Sequence, residues 1–403
     1  MTTVYCIDVR AAVNLDDSLR ALEMADAAMI GGARFNLGYA DGSSIRLSPN
    51  DTPESIISTA NLDKVINPLI AARARCLLII GTDAPKWTAW KTATGGTWGG
   101  EVNRPPPEAW PYWCIDVQFV VNYVREAYRA AGLDPDLYVW FQLCNEPAVG
   151  GAGAPYASLN PTSYAEPYDS LASGELDGPY DGLGSWSSGF ERNLGDQLAY
   201  LVQHVDFRGS PVVGIAHETE TGTAWNNERA SLYQVADHIP YLTHRAMNDY
   251  HGLAFAEALH EDSATARWVK LCLQELAELD AAYEAVVPGS SALPVVLSEI
   301  GITMDQLSFG SSTLAGYGHF ARGDRLRRII EALAATGRFA MISIYVSRER
   351  SSLPDGSLYG LRTVDGVKTG AHRAIAQMCG SVPVAPYSKA SGEFVAVMGD
   401  DVA

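Results

Sequence analysis

Cysteine is scarce in this 403-residue chain, six in all, and no Cys-x-x-Cys or Cys/His pair has the spacing of a zinc site. A disulfide framework and a structural metal are therefore not what holds the fold, and no cofactor or metal is expected. Cys6, Cys76 and Cys144 sit in apolar strand-like runs and Cys272 on an apolar helical stretch, the setting of buried thiols. Positive charge is also short. Lys and Arg number 29 against 47 Asp and Glu, a net charge of −18. A field of that sign repels nucleic acid and anionic membrane surfaces, so neither is an expected partner. No apolar run approaches the roughly 18–20 residues that span a bilayer. The opening MTTVYCIDVRAAVNLDD lacks the basic-then-apolar pattern of a secretory signal. The expected location is the cytoplasm, or export without such a signal, as in a virus- or particle-associated protein, or else the sequence is a mature form whose leader has been removed. Internal repeats and low-complexity tracts are absent too.

What the chain has is alternation. Short apolar runs at Val4–Val9, Ala33–Tyr39, Cys76–Gly81, Tyr138–Leu143, Pro211–Ala216, Leu242–His251, Val295–Gly301 and Phe339–Val346 read as strands. Most are near-continuous in apolar residues, as strands buried on both faces of a parallel sheet are. Helical patterns lie between them, at Ser18–Ile30, Pro53–Arg73, Asp116–Ala131, Gly189–Val205, Ala230–His238, Ser263–Val286 and Asp324–Thr336, with a last one at Gly370–Met378. Val117, Val120, Val121 and Val124 show the i, i+3, i+4 spacing of one helix face.

Eight strands, each followed by a helix, is the count of a (β/α)8 TIM barrel, an α/β fold. A doubly wound sheet would want a glycine-rich phosphate loop after the first strand, and Arg10-Ala11-Ala12-Val13-Asn14 stands there instead. The barrel is expected over residues 1–380, with 381–403 an extension packed on it or poorly ordered. A basic barrel needs about 250 residues, so long insertions are expected after strands three and four, at Thr82–Ile115 and Pro147–Ser188. Both follow the C-terminal ends of strands, the face where barrels build active sites.

Two carboxylates stand out by position. Strand four runs Tyr138-Val139-Trp140-Phe141-Gln142-Leu143-Cys144-Asn145 into Glu146-Pro147, and strand seven runs Pro294-Val295-Val296-Leu297-Ser298 into Glu299. Each puts a glutamate at the C-terminal end of its strand, on opposite sides of an eight-stranded ring. Glycoside hydrolysis needs such a pair, one to protonate the leaving oxygen and one to attack the anomeric carbon or activate water. Asn145-Glu146-Pro147 and Leu297-Ser298-Glu299 together resemble the large clan of retaining (β/α)8 glycosidases (clan A), which includes cellulases, β-mannanases, β-xylosidases and β-galactosidases. The resemblance implies Glu146 as acid/base, Glu299 as nucleophile and Asn145 as a ligand of the sugar 2-hydroxyl. It also implies that Arg34, in Gly32-Ala33-Arg34-Phe35-Asn36, corresponds to the arginine that members carry on strand two near the nucleophile. A guanidinium there would orient Glu299 as an anion, whereas Trp140, Leu143 and Pro147 would desolvate Glu146 and favour its protonated form.

Other positions are expected to touch a carbohydrate substrate. Strand six ends Asn248-Asp249-Tyr250-His251, similar to the Tyr- and His-bearing end of that strand in the clan. Strict alternation lets only one of Tyr250 and His251 face the mouth, and His251 is the expected one. Where many members have a tryptophan after strand eight, this chain has Tyr345. Where they have a strand-three histidine, it has Gly81-Thr82-Asp83-Ala84-Pro85-Lys86-Trp87, leaving Trp87 as a stacking candidate. His217, at the end of strand five, is a further binding candidate. Trp87, Trp90, Trp98, Trp110 and Trp113 cluster in the first insertion, and Tyr156, Tyr164, Tyr168, Tyr180 and Trp186 in the second. Aromatic rings pack on the C–H faces of pyranoses, so the two groups fit a sugar cleft. Two rival readings remain. One is a metal-dependent barrel hydrolase or isomerase using Glu146, Glu218, His251 and Glu299 as ligands. The other is a non-catalytic carbohydrate-binding or particle-structural barrel.

Overall fold

The computed structural model describes residues 3–9, 16–36, 62–80, 110–145, 198–218, 236–250, 261–302, 315–349 and 359–380. Eight parallel strands close on themselves in sequence order: β1 (Val4–Asp8), β2 (Gly32–Asn36), β3 (Arg75–Ile79), β4 (Val139–Asn145), β5 (Val212–Glu218), β6 (His244–Asp249), β7 (Val295–Ile300) and β8 (Phe339–Ile344). The ring is sealed by β8 pairing with β1, Met341 opposite Val4 and Ile344 opposite Ile7. This is the (β/α)8 barrel that the alternation of apolar runs implies.

Helices cover the outside: α1 (Asp17–Ile30), α2 (Leu62–Ala71), α3 (Trp110–Ala130), the single turn α4 (Pro135–Tyr138), α5 (residues 198–204), α6 (Glu261–Val286), α7 (Ala315–Ala335) and α8 (Gly370–Met378). Between β5 and β6 the described residues form a 3-10 segment, Ala236–Tyr241, which overlaps only the end of the helix expected at Ala230–His238. Two helices begin earlier than their apolar spacing suggests, α3 at Trp110 rather than Asp116 and α7 at Ala315 rather than Asp324. The earlier start of α3 removes residues 110–115 from the expected insertion. Trp113 there is a core side chain, only 3% exposed, and not part of a sugar cleft. The rest of both expected insertions, with Trp87, Trp90, Trp98, Tyr156, Tyr164, Tyr168, Tyr180 and Trp186, lies outside the described residues, as does the 381–403 extension. Among the described residues no helix is long and apolar enough to cross a membrane.

Local chemistry explains how elements start and stop. The Asp16 side chain caps α1 by accepting from the backbone N–H groups of Ser18 (2.6 Å) and Leu19 (3.2 Å), satisfying donors that a helix start leaves open. Gly31 ends the helix at φ 106°, a left-handed conformation that favours glycine, and returns its N–H to Ala27. The chain then enters β2 at once.

The core has two layers. Inside the ring, Val4, Cys6, Leu77, Trp140, Val213, Ala216, Ala246, Val296, Ala340 and Met341 pack into an apolar plug. Outside it, Ile7, Phe35, Leu78, Phe141, Leu143, Ile215, Leu297 and Ile342 meet the helices, including the Val117, Val120, Val121 and Val124 face of α3. All six cysteines are unpaired thiols, and five of them are buried. The plug closes the barrel from below, so the polar side chains at the C-terminal strand ends rest on an apolar floor.

Candidate active site

Arg34 is the centre of the mouth. It sits on β2 in register with Asp8 of β1 and Leu77 of β3, and it is almost fully buried. Such a cation is tolerable only if every donor is used. Nη1 donates to Asp8 Oδ2 (2.6 Å) and to Glu299 Oε1 (2.5 Å). Nη2 donates to Asn145 Oδ1 (2.6 Å), and Nε donates to Gln142 Oε1 (3.0 Å). Burial works against its charge, but the carboxylates of Glu299 and Asp8 outweigh that and push its pKa further up. Arg34 is a permanent cation that ties β1, β2, β4 and β7 together at one point.

Glu299 is gripped from both sides. Asn145 Nδ2 donates to Oε1 (3.1 Å), beside the Arg34 bond, and the Tyr250 hydroxyl donates to Oε2. A second tier holds these partners in turn. Asn248 Nδ2 donates to Asn145 Oδ1 (3.2 Å), and the Ser298 hydroxyl donates to Asn248 Oδ1 (2.6 Å). Gln142 Nε2 donates to the Cys144 carbonyl (2.9 Å), which fixes the amide that receives Arg34.

Strict alternation does not produce this arrangement. Gln142 and Asn145 are three apart on one strand, yet both bond Arg34. Their register partners on β5 are Val213 and Ala216, and both of these belong to the interior plug. Between those two residues β5 carries one more residue than β6, whose partners are His244 and Ala246. A bulge of this kind re-aims side chains locally; β4 follows β5 through it in unbroken register, Gln142 to Val213 and Asn145 to Ala216. A like irregularity occurs on β7, where Met247 pairs with Leu297 but Asn248 pairs with Glu299.

Of the residues expected at the site, Arg34, Asn145, Tyr250 and Glu299 come together. Tyr250 reaches the mouth, the place expected for its neighbour His251. Its ring meets those of Tyr345 (centroids 5.8 Å apart, 90°) and Tyr359 (5.6 Å, 70°), and the latter two meet each other at 5.4 Å and 72°. Tyr345 therefore lies beside the Glu299 cluster, as its place after β8 suggests. His217 and Glu218 are on β5, in register with Met247 and Asn248. Glu146, Trp87 and His251 lie outside the described residues, Glu146 immediately after β4. Asp8, Gln142, Asn248 and Tyr359 are site residues that sequence reasoning missed. Asp8 carried a usable signal, a carboxylate at the end of an apolar strand, as at strands four and seven.

One guanidinium faces two carboxyl groups in this pocket, so the described charges lean negative at the point where a positively charged group would be stabilised. Among the described residues no group of three or more His, Cys, Asp or Glu side chains is arranged to hold a metal ion.

No family model matches the sequence, and no curated protein is similar to it in sequence. Solved structures are similar in fold. An endo-1,4-beta-mannanase from Rhizomucor miehei aligns with a TM-score of 0.50 at 12% identity, covering 94% of this chain and 94% of its own. An endo-1,4-beta-xylanase from Caldicellulosiruptor owensensis aligns at 0.51 and 8% identity, covering 93% and 96%. A GH5_18 variant from Streptomyces cattleya, solved in complex with Manb1-4GlcNAc, aligns at 0.52 and 13%, covering 96% and 82%. At these identities the likeness is one of fold, and in fold this chain is the (β/α)8 barrel shared by glycoside hydrolases of the clan that its strand-four and strand-seven motifs resemble.

Proposed function

We propose that the protein is a retaining β-glycoside hydrolase, with Glu299 as nucleophile and Glu146 as acid/base. The observation that carries this reading is the state of Glu299. It is a nearly buried carboxylate at the C-terminal end of β7, held at Oε1 by Arg34 and Asn145 and at Oε2 by Tyr250. A carboxylate fixed by three donors at a barrel mouth is oriented for attack and does not serve to bind a helix outside. Glu146 follows Asn145 directly in the chain, and Asn145 touches Glu299. That adjacency in the chain is what supports Glu146 as the acid/base partner.

In the first step a lone pair of the Glu299 carboxylate attacks the anomeric carbon. The glycosidic C–O bond breaks, and the leaving oxygen takes the proton of Glu146. In the second step water attacks the same carbon while Glu146 accepts its proton, and the Glu299 ester bond breaks to restore the carboxylate. The transition states carry positive charge on the sugar ring, which suits a pocket where two carboxyl groups face one guanidinium. Asn145, anchored by Arg34 and Asn248, is the residue we assign to the hydroxyl next to the anomeric centre.

The substrate we propose is a neutral or modestly cationic β-linked oligo- or polysaccharide. The net charge of −18 opposes anionic polymers. The mannanase, the xylanase and the Manb1-4GlcNAc complex among the fold neighbours make β-mannosides and β-xylosides the first to try. The metal-site reading asks Glu299 to ligate an ion with oxygens already engaged by three donors, which counts against it. A panel of aryl β-glycosides and polysaccharides, with product stereochemistry followed by proton NMR and EDTA present in parallel, tests the proposal. A retained anomer and EDTA-insensitive turnover support it; an inverted anomer, loss of turnover in EDTA, or no turnover on any β-glycoside refutes it.

A further inference from the structure

Tyr359 lies well beyond the end of β8, and neither a strand-end position nor a motif marks it. The backbone on either side of it is pinned. Gly360 N–H donates to the Glu349 carboxylate, and the Gly360 carbonyl accepts from buried Arg322 Nη2 (2.5 Å). Leu361 N–H donates to the Val346 carbonyl (3.0 Å). Glycine at 301, two residues past Glu299, leaves room for the ring. A Cβ there would come within 2.7 Å of Tyr359 Cδ1 and 2.9 Å of the Tyr345 carbonyl oxygen. The ring thus occupies a slot between the end of β7 and the rings of Tyr345 and Tyr250, touching both edge-on. The hydroxyl of Tyr250, on the same ring that Tyr359 braces, donates to Glu299 Oε2.

We propose that Tyr359 is a positioning residue: its ring, seated against Gly301, fixes the Tyr250 phenol and through it the rotation of the Glu299 carboxylate. The proposal rests on the hydrolase reading for its kinetic consequence, not for its geometry. Arg34 and Asn145 both bind Oε1, so Oε2 is oriented by Tyr250, and a tilt of that phenol lets the carboxylate turn away from the anomeric carbon. Misorientation of a reacting group lowers the rate of the chemical step more than it weakens substrate binding.

The test compares Tyr359→Ala, Tyr359→Phe and Gly301→Ala in the full-length chain, each alone and in a Tyr250→Phe background. Tyr359→Ala and Gly301→Ala should lower kcat about tenfold to a hundredfold with KM little changed, the loss expected of a small displacement of a reacting group. Tyr359→Phe keeps the ring and should recover most of the kcat that Tyr359→Ala loses. In the Tyr250→Phe background Tyr359→Ala should cost little more, because the group it positions is already gone. An equal further loss in that background, or an unchanged kcat in Tyr359→Ala, overturns the proposal. A readout independent of turnover is the tyrosine Cζ NMR resonance of Tyr250, assigned by its disappearance in Tyr250→Phe. It should move in Tyr359→Ala and not in Tyr359→Phe. An unmoved resonance overturns this inference alone, whereas wild-type protein without glycosidase activity overturns the hydrolase reading alone.

Discussion

Asn248 on β6 and Glu299 on β7 are register partners because β7 carries one more residue than β6 between this pair and the one before it, Met247 and Leu297. Ser298 is the extra residue. Its hydroxyl donates to Asn248 Oδ1 (2.6 Å) and lies within reach of the Met247 carbonyl (3.0 Å), so the irregularity is hydrogen-bonded and filled. One residue of slippage brings Glu299 beside Asn248, and Asn248 in turn supports Asn145. Ser298→Ala removes both contacts, and Ser298→Val adds bulk at the same point. We expect Ser298→Ala to cost about 1–3 kcal/mol of stability, because it leaves a buried amide oxygen short of a donor. Urea unfolding measures this directly.

Removal of Arg34 leaves two carboxyl groups, Asp8 and Glu299, facing each other without their shared cation. Arg34→Met is expected to lower unfolding stability by about 3–5 kcal/mol, the usual cost of breaking a buried ion pair from one side. Arg34→Lys keeps the charge but loses the fork that reaches four acceptors at once, so it should recover stability only in part and activity hardly at all. Denaturant titrations of the three proteins separate these outcomes.

Tyr250→Phe removes one hydrogen bond to Glu299 and keeps the ring among Tyr345 and Tyr359. A hydrogen bond to a charged group is worth about 1.5–3 kcal/mol, so kcat/KM should fall about tenfold to a hundredfold. Thermal stability should fall as well, because the same bond to a buried carboxylate is lost from the folded protein. Steady-state kinetics and a melting curve on the same preparation check both halves.

A buried cluster behind β8 holds the segment that carries Tyr345 and Tyr359. Asp26 of α1 accepts from Arg362 Nε (2.8 Å) and Nη2 (2.7 Å), from the Ser347 hydroxyl (2.7 Å) and from His372 Nε2 (3.0 Å). Burial alone would push this carboxyl up, but His372, Arg362 and Ser347 outweigh it and hold it below the usual carboxylate range. The folded-state value is thus depressed. The stability it contributes is complete above the unfolded pKa of about 3.9 and is lost as pH falls through the folded value. Urea midpoints taken downward from about pH 6 should decline in that acid window for wild type and be flatter for Asp26→Asn. The variant itself should be about 3–5 kcal/mol less stable near neutrality.

The barrel was legible because its strands, buried on both faces, are near-continuous apolar runs, and because α3 shows its valine stripe plainly. Glu299 was legible as a carboxylate at the C-terminal end of such a run, whereas Arg34 and Asn145 were legible through the resemblance to the glycosidase clan. Gln142, Asn248 and the inward turn of Tyr250 were not. A period of two puts Gln142 opposite Asn145, yet both bond Arg34, and β5 and β7 each carry an extra residue against β6. Such a bulge leaves no mark in the pattern of apolar residues. Tyr359 was hidden for another reason, since its place is set by pairing of the backbone at 346–349 with 361–362, which no pattern of apolar residues marks. The early starts of α3 and α7 were missed because Pro111 and the glycines Gly316 and Gly318 read as loop residues.

The most direct measurement is covalent trapping with an activated 2-deoxy-2-fluoro β-glycoside, followed by peptide mass spectrometry. The account predicts a single sugar adduct on Glu299, formed with loss of activity and absent in Glu299→Gln, while Glu146→Ala still forms it with the activated leaving group. A label on another residue, or none from a reagent whose parent glycoside the protein hydrolyses, would contradict it.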